Sequence, residues 1–227
     1  MGGALLRIGV TIFPGSNCDR DALYAIELAG AEPVELWHAD ASLKGVDAVV
    51  VPGGFSYGDY LRPGAIARFS KVMGSLEEFA KSGGPILGIC NGFQILTEAH
   101  LLPGALLRNT SMRFVCTRTP VRFESVDTPW TALYEPGGEL TLPVAHNEGN
   151  YFAGEKTISS LEDEGRVVLR YLDNPNGSLN DIAGICSEGR NVVGLMPHPE
   201  RFSEEALGSD KGLKVFESVL QFAGVRV

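Results

Sequence analysis

Short apolar runs alternate with longer amphipathic stretches over the first half of the chain and again near its end. The apolar runs have the length of β-strands and are bounded by turn-forming residues; they lie at residues 5–13, 32–38, 46–51, 85–89 and 192–195. The stretches between them, such as residues 64–81, space their apolar side chains as an α-helix does. This alternation predicts an α/β fold, in which helices cover both faces of a mainly parallel sheet.

A different pattern begins beyond residue 101. Three apolar segments there look like antiparallel strands; they lie at residues 114–123, 139–144 and 167–172. Turn-forming residues at 136–138 and 174–177 fall between or after them. These segments predict a small antiparallel extension of the sheet.

Capping and turn residues mark the expected ends of the helices. Ser16 and Asn17 are expected to cap a first helix that ends at Gly30. The helix at residues 64–81 should stop at the following glycines, and a last helix should span residues 209–222. Because α/β folds of this length often form one unit, the chain is most simply a single domain, residues 1–227.

Cys90 is the strongest candidate nucleophile. It follows an apolar strand and has a glycine two residues away on each side, Gly88 and Gly92. This Gly-x-Cys-x-Gly pattern is typical of a nucleophile elbow, where side chains at the glycine positions would collide with the nearby strand and helix. The unpaired amides of the helix N-terminus would favour a thiolate. The alternative is a cysteine that is only a small buried hydrophobic residue.

His198 is the candidate general base. It follows the apolar strand at residues 192–195, and α/β enzymes place their sites at such strand ends. Pro197 and Pro199 are expected to keep the backbone extended, so that Glu200 projects to the same side as His198. Glu200 would then orient the imidazole and stabilise its protonated form, which completes a Cys-His-Glu triad. A loop histidine bonded to nearby backbone is the alternative.

A glycine-rich segment follows the strand at residues 46–51 and contains Gly53 and Gly54. Glycines at the end of a strand let backbone amides approach a ligand closely. The amides of Gly54 and of Asn91, the residue after the nucleophile, are therefore candidates for an oxyanion hole. An ordinary glycine-rich turn is the alternative.

Together these motifs resemble the class I glutamine amidotransferases. The resemblance rests on the Gly-x-Cys-x-Gly-x-Gln pattern that ends at Gln94, on Pro52-Gly53-Gly54, and on His198-Pro199-Glu200, in that order along the chain. Five further segments are similar to the glutaminase subunits of phosphoribosylformylglycinamidine synthase; they lie at residues 13–19, 55–59, 61–67, 145–151 and 174–178. The resemblance spans nearly the whole chain and implies a flavodoxin-like fold.

The resemblance also implies an activity, a glutaminase. Cys90 would attack the side-chain amide of glutamine, and His198 would protonate the departing ammonia before water releases glutamate. The residues implied to lie next to the substrate are Gly53, Gln94, His146 and Glu148. The ammonia would pass to a partner synthetase, usually joined by a small third subunit. That synthetase would use ATP and Mg²⁺ to convert formylglycinamide ribonucleotide to formylglycinamidine ribonucleotide in purine biosynthesis.

Composition limits the classes of partner that we expect the chain to bind and the compartment in which we expect it. With a net charge of −9, the chain is not expected to bind nucleic acid or an anionic membrane. Its sequence has no Walker loop, dinucleotide fingerprint or cluster of metal ligands, so we expect this chain to bind no metal and no cofactor. The four cysteines lie far apart without a Cys-x-x-Cys pair, which indicates a reducing compartment, the cytoplasm.

Other functions fit parts of the sequence. A Cys-His hydrolase or peptidase of flavodoxin-like fold would share the elbow, but it would not require Gln94 or the Pro-His-Pro-Glu segment. A non-catalytic binding subunit would leave the complete set of catalytic residues unexplained. Within the glutaminases, enzymes that serve other acceptors are the nearest rivals, and the subgroup segments, above all residues 55–59 and 174–178, discriminate against them.

Overall fold

The computed structural model describes residues 5–224. The strands in this part of the chain are β1 (Arg7–Ile12), β2 (Glu32–Trp37), β3 (Ala48–Val51), β4 (Ile86–Ile89), β5 (Ala105–Leu107), β6 (Val115–Phe123), β7 (Glu139–His146), β8 (Asn150–Phe152), β9 (Val167–Tyr171), β10 (Ile182–Cys186) and β11 (Val192–Leu195). The α-helices are α1 (Asp19–Leu28), α2 (Lys71–Lys81), α3 (Asn91–Glu98), α4 (Glu155–Asp163) and α5 (Leu213–Phe222). None of these helices is both long and apolar enough to cross a lipid bilayer.

Nine strands form one sheet, in the order β2-β1-β3-β4-β11-β10-β9-β6-β7, and β5 and β8 form a separate antiparallel pair. The pairings from β2 to β11 are all parallel. Those from β11 to β7 are all antiparallel. The predicted α/β fold is therefore confirmed, although the antiparallel extension contributes as many pairings as the parallel part.

Strands β3, β4 and β11 form the centre of the core, and every residue in them is buried. A strand covered on both faces is expected to be a continuous apolar run, as these three are. Helix α3 packs against all three strands. The carboxyl ends of these parallel strands lie along one edge of the sheet, where the segments that contain Cys90 and His198 meet.

The helix expected over residues 64–81 is shorter than predicted. Helix α2 begins only at Lys71, because Ser70 is extended (φ −67°, ψ 148°) and its hydroxyl lies 2.9 Å from the hydroxyl of Tyr57. Gly64 has φ +79°, and a Cβ there would lie 2.8 Å from the amide nitrogen of Ile95 in α3. The segment before Lys71 therefore follows the surface of α3, with only a 3₁₀ turn at Ala67–Phe69.

The predicted start of the first helix is also wrong. Helix α1 begins at Asp19, and its N-cap is Cys18 rather than Ser16 or the asparagine after it. The hydroxyl of Ser16 donates instead to the carbonyl of Gly53 at 3.1 Å. This bond ties the loop after β1 to the segment after β3, so the residue serves tertiary structure and not the cap.

Some elements have no clear sequence pattern. Strands β5 and β8 have three residues each, too few to show a periodicity. Helix α4 has a single fully buried residue, Leu161, and so has no broad apolar stripe. The last helix, expected from residue 209, begins at Leu213, because Ser209 pairs with Glu204 in a β-bridge.

Candidate active site

Cys90 lies where β4 turns into α3. Its backbone has φ 50° and ψ −104°, a positive-φ conformation that is strained for a residue with a side chain. Hydrogen bonds on both sides hold it: its amide donates to the Leu195 carbonyl at 2.7 Å, and its carbonyl accepts from the Gln94 amide at 3.1 Å. The sulfur lies 3.8 Å from the carbonyl oxygen of Ala145. This geometry is the elbow that the sequence predicts.

The glycines on either side of Cys90 are required by close backbone contacts. A Cβ on Gly92 would lie 1.8 Å from the carbonyl oxygen of Val51, at the end of β3. A Cβ on Gly88 would lie 2.8 Å from the carbonyl carbon of Gly92 and 2.5 Å from Cδ1 of Leu96. Helix α3 can therefore start directly against the strand ends only when both positions are glycine.

His198 and Glu200 form a buried pair beside the elbow. The amide of His198 donates to the carbonyl of Pro143 at 2.8 Å, which fixes the segment to β7. Nδ1 of His198 lies 2.5 Å from Oε1 of Glu200. The pair forms as predicted, but the expected extended backbone is wrong, since a 3₁₀ helix at Pro199–Phe202 turns Glu200 back toward the ring. The remaining ring nitrogen, Nε2, is buried and has no hydrogen-bond partner within residues 5–224. The sulfurs of Cys90 and Cys18 both lie close enough to the ring to raise its pKa.

The charge state of His198 follows from its neighbours. Burial opposes a charge on the ring, but the Glu200 carboxylate and the Cys90 sulfur outweigh it and raise the pKa of His198 well above its usual value. The imidazole is therefore protonated near neutral pH. A protonated imidazole beside a cysteine is the arrangement by which proteins activate thiols as nucleophiles.

The glycine-rich segment after β3 packs against His198 and the loop before α1. A Cβ on Gly53 would lie 2.7 Å from Cε1 of His198. Gly54 has φ +127°, and a Cβ there would lie 2.5 Å from the amide nitrogen of Asn17. Only glycine fits at either position. Gly54 lines the same cavity as Cys90, and the oxyanion role of its amide stays a prediction.

The side chain of Asn91 connects α3 to this segment. Its Oδ1 accepts from the amide of Ser56 at 3.1 Å, while its Nδ2 donates to Oδ1 of Asp59 at 3.2 Å and to Oε1 of Gln94 at 2.9 Å. Gln94 donates from Nε2 to the carbonyl of Glu148 at 2.5 Å. One network therefore joins the nucleophile helix, the glycine-rich segment and the loop after β7. The oxyanion role of the Asn91 amide, the first of α3, also stays a prediction.

His146 lies at the end of β7, is buried, and contacts the side chains of two asparagines. Its Nδ1 lies 3.1 Å from Oδ1 of Asn109, and its Nε2 lies 3.4 Å from Nδ2 of Asn176. Burial, and then the charge of His198, lower the pKa of His146 to about 4. The ring is therefore neutral at physiological pH, with both nitrogens engaged by protein groups. Glu148 lines the cavity, and substrate contacts of both residues stay predictions.

Cys90 opens into a cavity of about 500 Å³, a usual size for a small-molecule site. Asp59, Gln94 and Glu148 contribute to its polar lining. Burial and the charge of Glu148 raise the pKa of Asp59 to about 6, against the opposing hydrogen bond from Asn91. The cavity thus combines the Cys90 thiol with acidic groups that suit a substrate carrying an ammonium group.

Three side chains have the chemistry of zinc ligands. Within residues 5–224, Cys18, His198 and Glu200 are the one group of three such residues whose donor atoms lie within 4.8 Å of one another. These atoms already have partners, since Nδ1 of His198 bonds Oε1 of Glu200, and Nη2 of Arg201 donates to Sγ of Cys18 at 3.0 Å. Arg201 also supplies the positive charge that a cation would bring. The group therefore fits a proton-transfer pair better than a metal site.

Comparison with known families agrees with this geometry. The model of the CobB/CobQ-like glutamine amidotransferase domain matches residues 6–211, which is most of the chain. The chain belongs to this glutamine amidotransferase family. The family resemblance inferred from the motifs is therefore confirmed.

Named members of the glutamine amidotransferase family are similar over their full length. "Phosphoribosylformylglycinamidine synthase subunit PurQ" of Rubrobacter xylanophilus is 73% identical over 222 residues, which cover 98% of this chain and 100% of the relative. The protein of the same name from Streptomyces coelicolor is 59% identical over 218 residues, which cover 95% of this chain and 96% of the relative.

Solved structures give the same result for the fold. A chain of the PurLQS structure from Thermotoga maritima superposes with a TM-score of 0.90 at 45% identity, and the match covers 96% of this chain and 99% of that one. A glutamine amidotransferase from Thermotoga maritima has a TM-score of 0.62 at 18% identity, over 97% of this chain and 98% of that one. This second likeness shows the fold alone.

Two parts of this glutamine amidotransferase site were missed by sequence reasoning. The side chains of Asn91 and Asp59 link α3 to the glycine-rich segment, although only the backbone of Asn91 was expected to act. Cys18 lies beside His198 and Glu200 in space, although it is far from both in the sequence. Both Asp59 and Cys18 fall in segments that resemble the subgroup, and this was the only signal pointing to them.

Proposed function

We propose that this chain is the glutaminase subunit of a phosphoribosylformylglycinamidine synthase. It hydrolyses glutamine and passes the ammonia to a synthetase that converts formylglycinamide ribonucleotide to formylglycinamidine ribonucleotide. The observation that carries the proposal is the strained Cys90 beside His198 and Glu200, which are paired at 2.5 Å. Full-length relatives at 73% and 59% identity carry the name of this synthase subunit, which supports the same chemistry and complex here.

The first half of the reaction forms a thioester. The Cys90 sulfur attacks the side-chain amide carbon of glutamine, and the carbonyl oxygen becomes an oxyanion held by the amides of Gly54 and Asn91. His198, already protonated, gives its Nε2 proton to the nitrogen as the C–N bond breaks and ammonia leaves. Glu200 keeps the ring oriented and compensates its charge. A γ-glutamyl thioester remains on Cys90.

The second half of the reaction hydrolyses that thioester. Neutral His198 takes a proton from water, and the oxygen adds to the thioester carbon through a second oxyanion. The Cys90 sulfur then leaves as a thiolate, and the ring is again protonated. The sum is glutamine plus water giving glutamate plus ammonia. The carboxylates of Asp59 and Glu148 provide a favourable position for the α-ammonium group of glutamine.

Exposed apolar side chains at the cavity mouth suggest where the synthetase docks. Leu61 and Phe114 line the cavity and are 90% and 50% exposed, and the neighbouring Tyr60 is 75% exposed. Exposed apolar groups that cluster in this way mark protein interaction sites. A synthetase docked there, with the small third subunit in the same complex, would enclose ammonia as it leaves Cys90. ATP and Mg²⁺ would act on the synthetase and not on this chain.

The test is glutamate release by the purified chain, before and after adding its cognate synthetase, the small subunit, ATP, Mg²⁺ and formylglycinamide ribonucleotide. We expect slow release by the free chain and release about 10²-fold faster in the full mixture, because one misplaced oxyanion donor costs about 3 kcal/mol. Docking would bias the glycine-rich segment to its competent form. A panel of peptide substrates, assayed in parallel, tests the peptidase alternative.

Each outcome is informative. Rapid release by the free chain, unchanged by the mixture, would refute activation by the partner. Failure to form any complex would undermine the purine assignment, and cleavage of peptides without glutamine turnover would favour the peptidase.

We also propose a cytoplasmic location, since the Cys90 thiol must stay reduced and all four cysteines are free. Fractionation of cells producing a tagged chain tests this location, and recovery outside the cytoplasm would contradict it.

A further inference from the structure

Cys18 is a second buried cysteine next to the catalytic pair, and the mechanism above gives it no role. It is 1% exposed and is the N-cap of α1. Its sulfur lies within 4.8 Å of a ring nitrogen of His198 and a carboxylate oxygen of Glu200. A Cβ on Gly53 would lie 3.4 Å from the same sulfur. Cys18 therefore lies beside both His198 and the glycine-rich segment.

The sulfur of Cys18 is bonded to Arg201, the residue that follows Glu200. Nη2 of Arg201 donates to Sγ at 3.0 Å, while its Nε lies 3.5 Å from Oδ2 of Asp21 in α1. Arg201 belongs to the same 3₁₀ helix, Pro199–Phe202, as Glu200. The two contacts of the guanidinium therefore join the start of α1 to the turn that carries the catalytic carboxylate.

Glu200 has an oxygen that could bind this guanidinium. Its Oε1 bonds His198, whereas its Oε2 is buried and has no hydrogen-bond partner in the described part of the chain. Guanidinium groups pair with carboxylates through two parallel hydrogen bonds when geometry allows. If Arg201 turned from Cys18 to Glu200, it would draw the carboxylate away from Nδ1 of His198.

We propose that Cys18 positions the catalytic pair: its sulfur holds the Arg201 guanidinium away from Glu200 and so keeps Glu200 bonded to His198. Cys18 is then a positioning residue that acts through Arg201, not a catalytic residue. The inference rests on the proposed glutaminase function, but it uses contacts that the function does not require.

Replacement of the sulfur tests this role in the complete complex with the synthetase. Cys18→Ala removes the acceptor of Nη2 of Arg201 and leaves only the contact of Nε with Asp21. It should lower kcat about 10-fold with little change in KM for glutamine, because displacing a catalytic group raises the energy of the transition state more than that of the bound substrate. Cys18→Ser keeps an acceptor and should recover most of kcat. Cys186→Ala removes another buried sulfur, in β10, and should lower the thermal unfolding midpoint without lowering kcat.

A double-mutant cycle tests whether Arg201 is the partner. Arg201→Gln removes the competing charge, so the double variant with Cys18→Ala should turn over faster than Cys18→Ala alone. Arg20→Gln, at an exposed arginine bonded to Glu35, is the control and should leave kcat unchanged. Additive losses in the cycle, a normal kcat for Cys18→Ala, or a Cys18→Ser variant as slow as Cys18→Ala would each overturn the proposal.

A readout without substrate separates this inference from the proposed function. The rate at which iodoacetamide alkylates Cys90, followed by peptide mass mapping, depends on the nearby His198 and on no substrate. Cys18→Ala should slow this alkylation about 10-fold, and Cys18→Ser should restore it. Absence of glutamate release by the wild-type complex would refute the function, whereas an unchanged alkylation rate in Cys18→Ala would overturn this inference alone.

Discussion

His198 and His146 are both buried, yet their surroundings shift their pKa values in opposite directions. For His198, burial opposes the charge, but the Glu200 carboxylate and the Cys90 sulfur together outweigh it and keep the ring charged. For His146, neutral asparagine side chains occupy both ring nitrogens, and burial lowers the pKa to about 4. The identity of the hydrogen-bond partner therefore decides which histidine can transfer protons near neutral pH.

Cys90 is expected to be the only covalent nucleophile. Cys90→Ala should abolish turnover, and Cys90→Ser should be nearly inactive, because a serine hydroxyl does not ionise in this environment as a thiol does. A glutamine-derived diazoketone should label the peptide that contains Cys90. The control is Cys116→Ser, which changes an exposed cysteine in β6. This variant should still be labelled at Cys90 and should turn over glutamine at the normal rate. Labelling mainly at another cysteine would contradict the assignment.

Glu200 is expected to act on the transition state through His198. Glu200→Gln removes the negative charge that stabilises the imidazolium, so it should lower kcat much more than it raises KM. The pKa of His198 should fall at the same time, which would move the pH profile of turnover toward acid. Glu205→Gln, an exposed glutamate in the next turn, is the matched control. An effect confined to KM would mean that Glu200 only binds substrate.

Asp59 is expected to give substrate binding a pH dependence. Its pKa is raised to about 6 by burial and by Glu148, so its charge is lost as the pH falls through 6. If the carboxylate binds the α-ammonium group, KM for glutamine should rise below that pH in the wild-type complex. Asp59→Asn should have a high KM that no longer changes between pH 5 and 7. A pH-dependent KM in that variant would place the titrating group elsewhere.

Helices α2 and α3 each contain a glycine, but in very different surroundings. Gly92 in α3 faces β3, where a Cβ would meet the Val51 carbonyl oxygen at 1.8 Å, whereas no atom of residues 5–224 lies within 4 Å of a Cβ on Gly74 in α2. Gly92→Ala should destabilise the fold by about 3 kcal/mol or more and displace the nucleophile. Gly74→Ala should stabilise it by about 1 kcal/mol, because alanine favours the helix. Denaturant unfolding of both variants tests this contrast, and equal effects would contradict it.

The elements that the sequence predicts best are those whose local pattern matches their packing. Strand β4, Cys90 and α3 were predicted closely, because the glycine spacing is itself a consequence of the close contacts there. The helix over residues 64–81 was predicted too long, because the residues before Lys71 make tertiary contacts instead: Gly64 lies against α3, and the Ser70 hydroxyl lies 2.9 Å from the hydroxyl of Tyr57. Local propensity contains no information on such a contact.

The same limit applies to the candidate site. His198 and Glu200 could be paired from sequence because they are two residues apart, although the 3₁₀ helix that follows His198 and contains Glu200 was not foreseen. The bond between Cys18 and Arg201 joins residues 183 positions apart, and no periodicity predicts it. Side-chain networks between distant loops therefore had to be read from the structure.

The site exists only when the whole sheet is assembled. Cys18 follows β1, Gly53 follows β3, Cys90 follows β4 and His198 follows β11, and these strands are neighbours in the sheet. His198 is also bonded to Pro143 in β7, in the antiparallel extension. Because no local segment contains the complete site, loss of the global fold and loss of activity should be closely coupled.

His146 should make the stability of the molecule sensitive to acid. Its pKa is about 4 in the folded chain and about 6.5 when unfolded, so between these values the unfolded state binds more protons. The free energy of unfolding should therefore fall as the pH is lowered from 6.5 to 4, by at most about 3 kcal/mol from this group. Asp59 acts in the opposite sense over the same range, since its pKa is raised on folding.

A comparison of variants isolates the histidine from Asp59. His146→Gln should be less stable than wild type at pH 7, because it loses the contacts to Asn109 and Asn176, but it should lose less further stability between pH 6.5 and 4. His100→Gln, at an exposed histidine, should keep the wild-type pH dependence. The measurement is denaturant unfolding at several pH values. If His146→Gln and wild type lost stability equally on acidification, the buried neutral histidine would not be the acid-sensitive group.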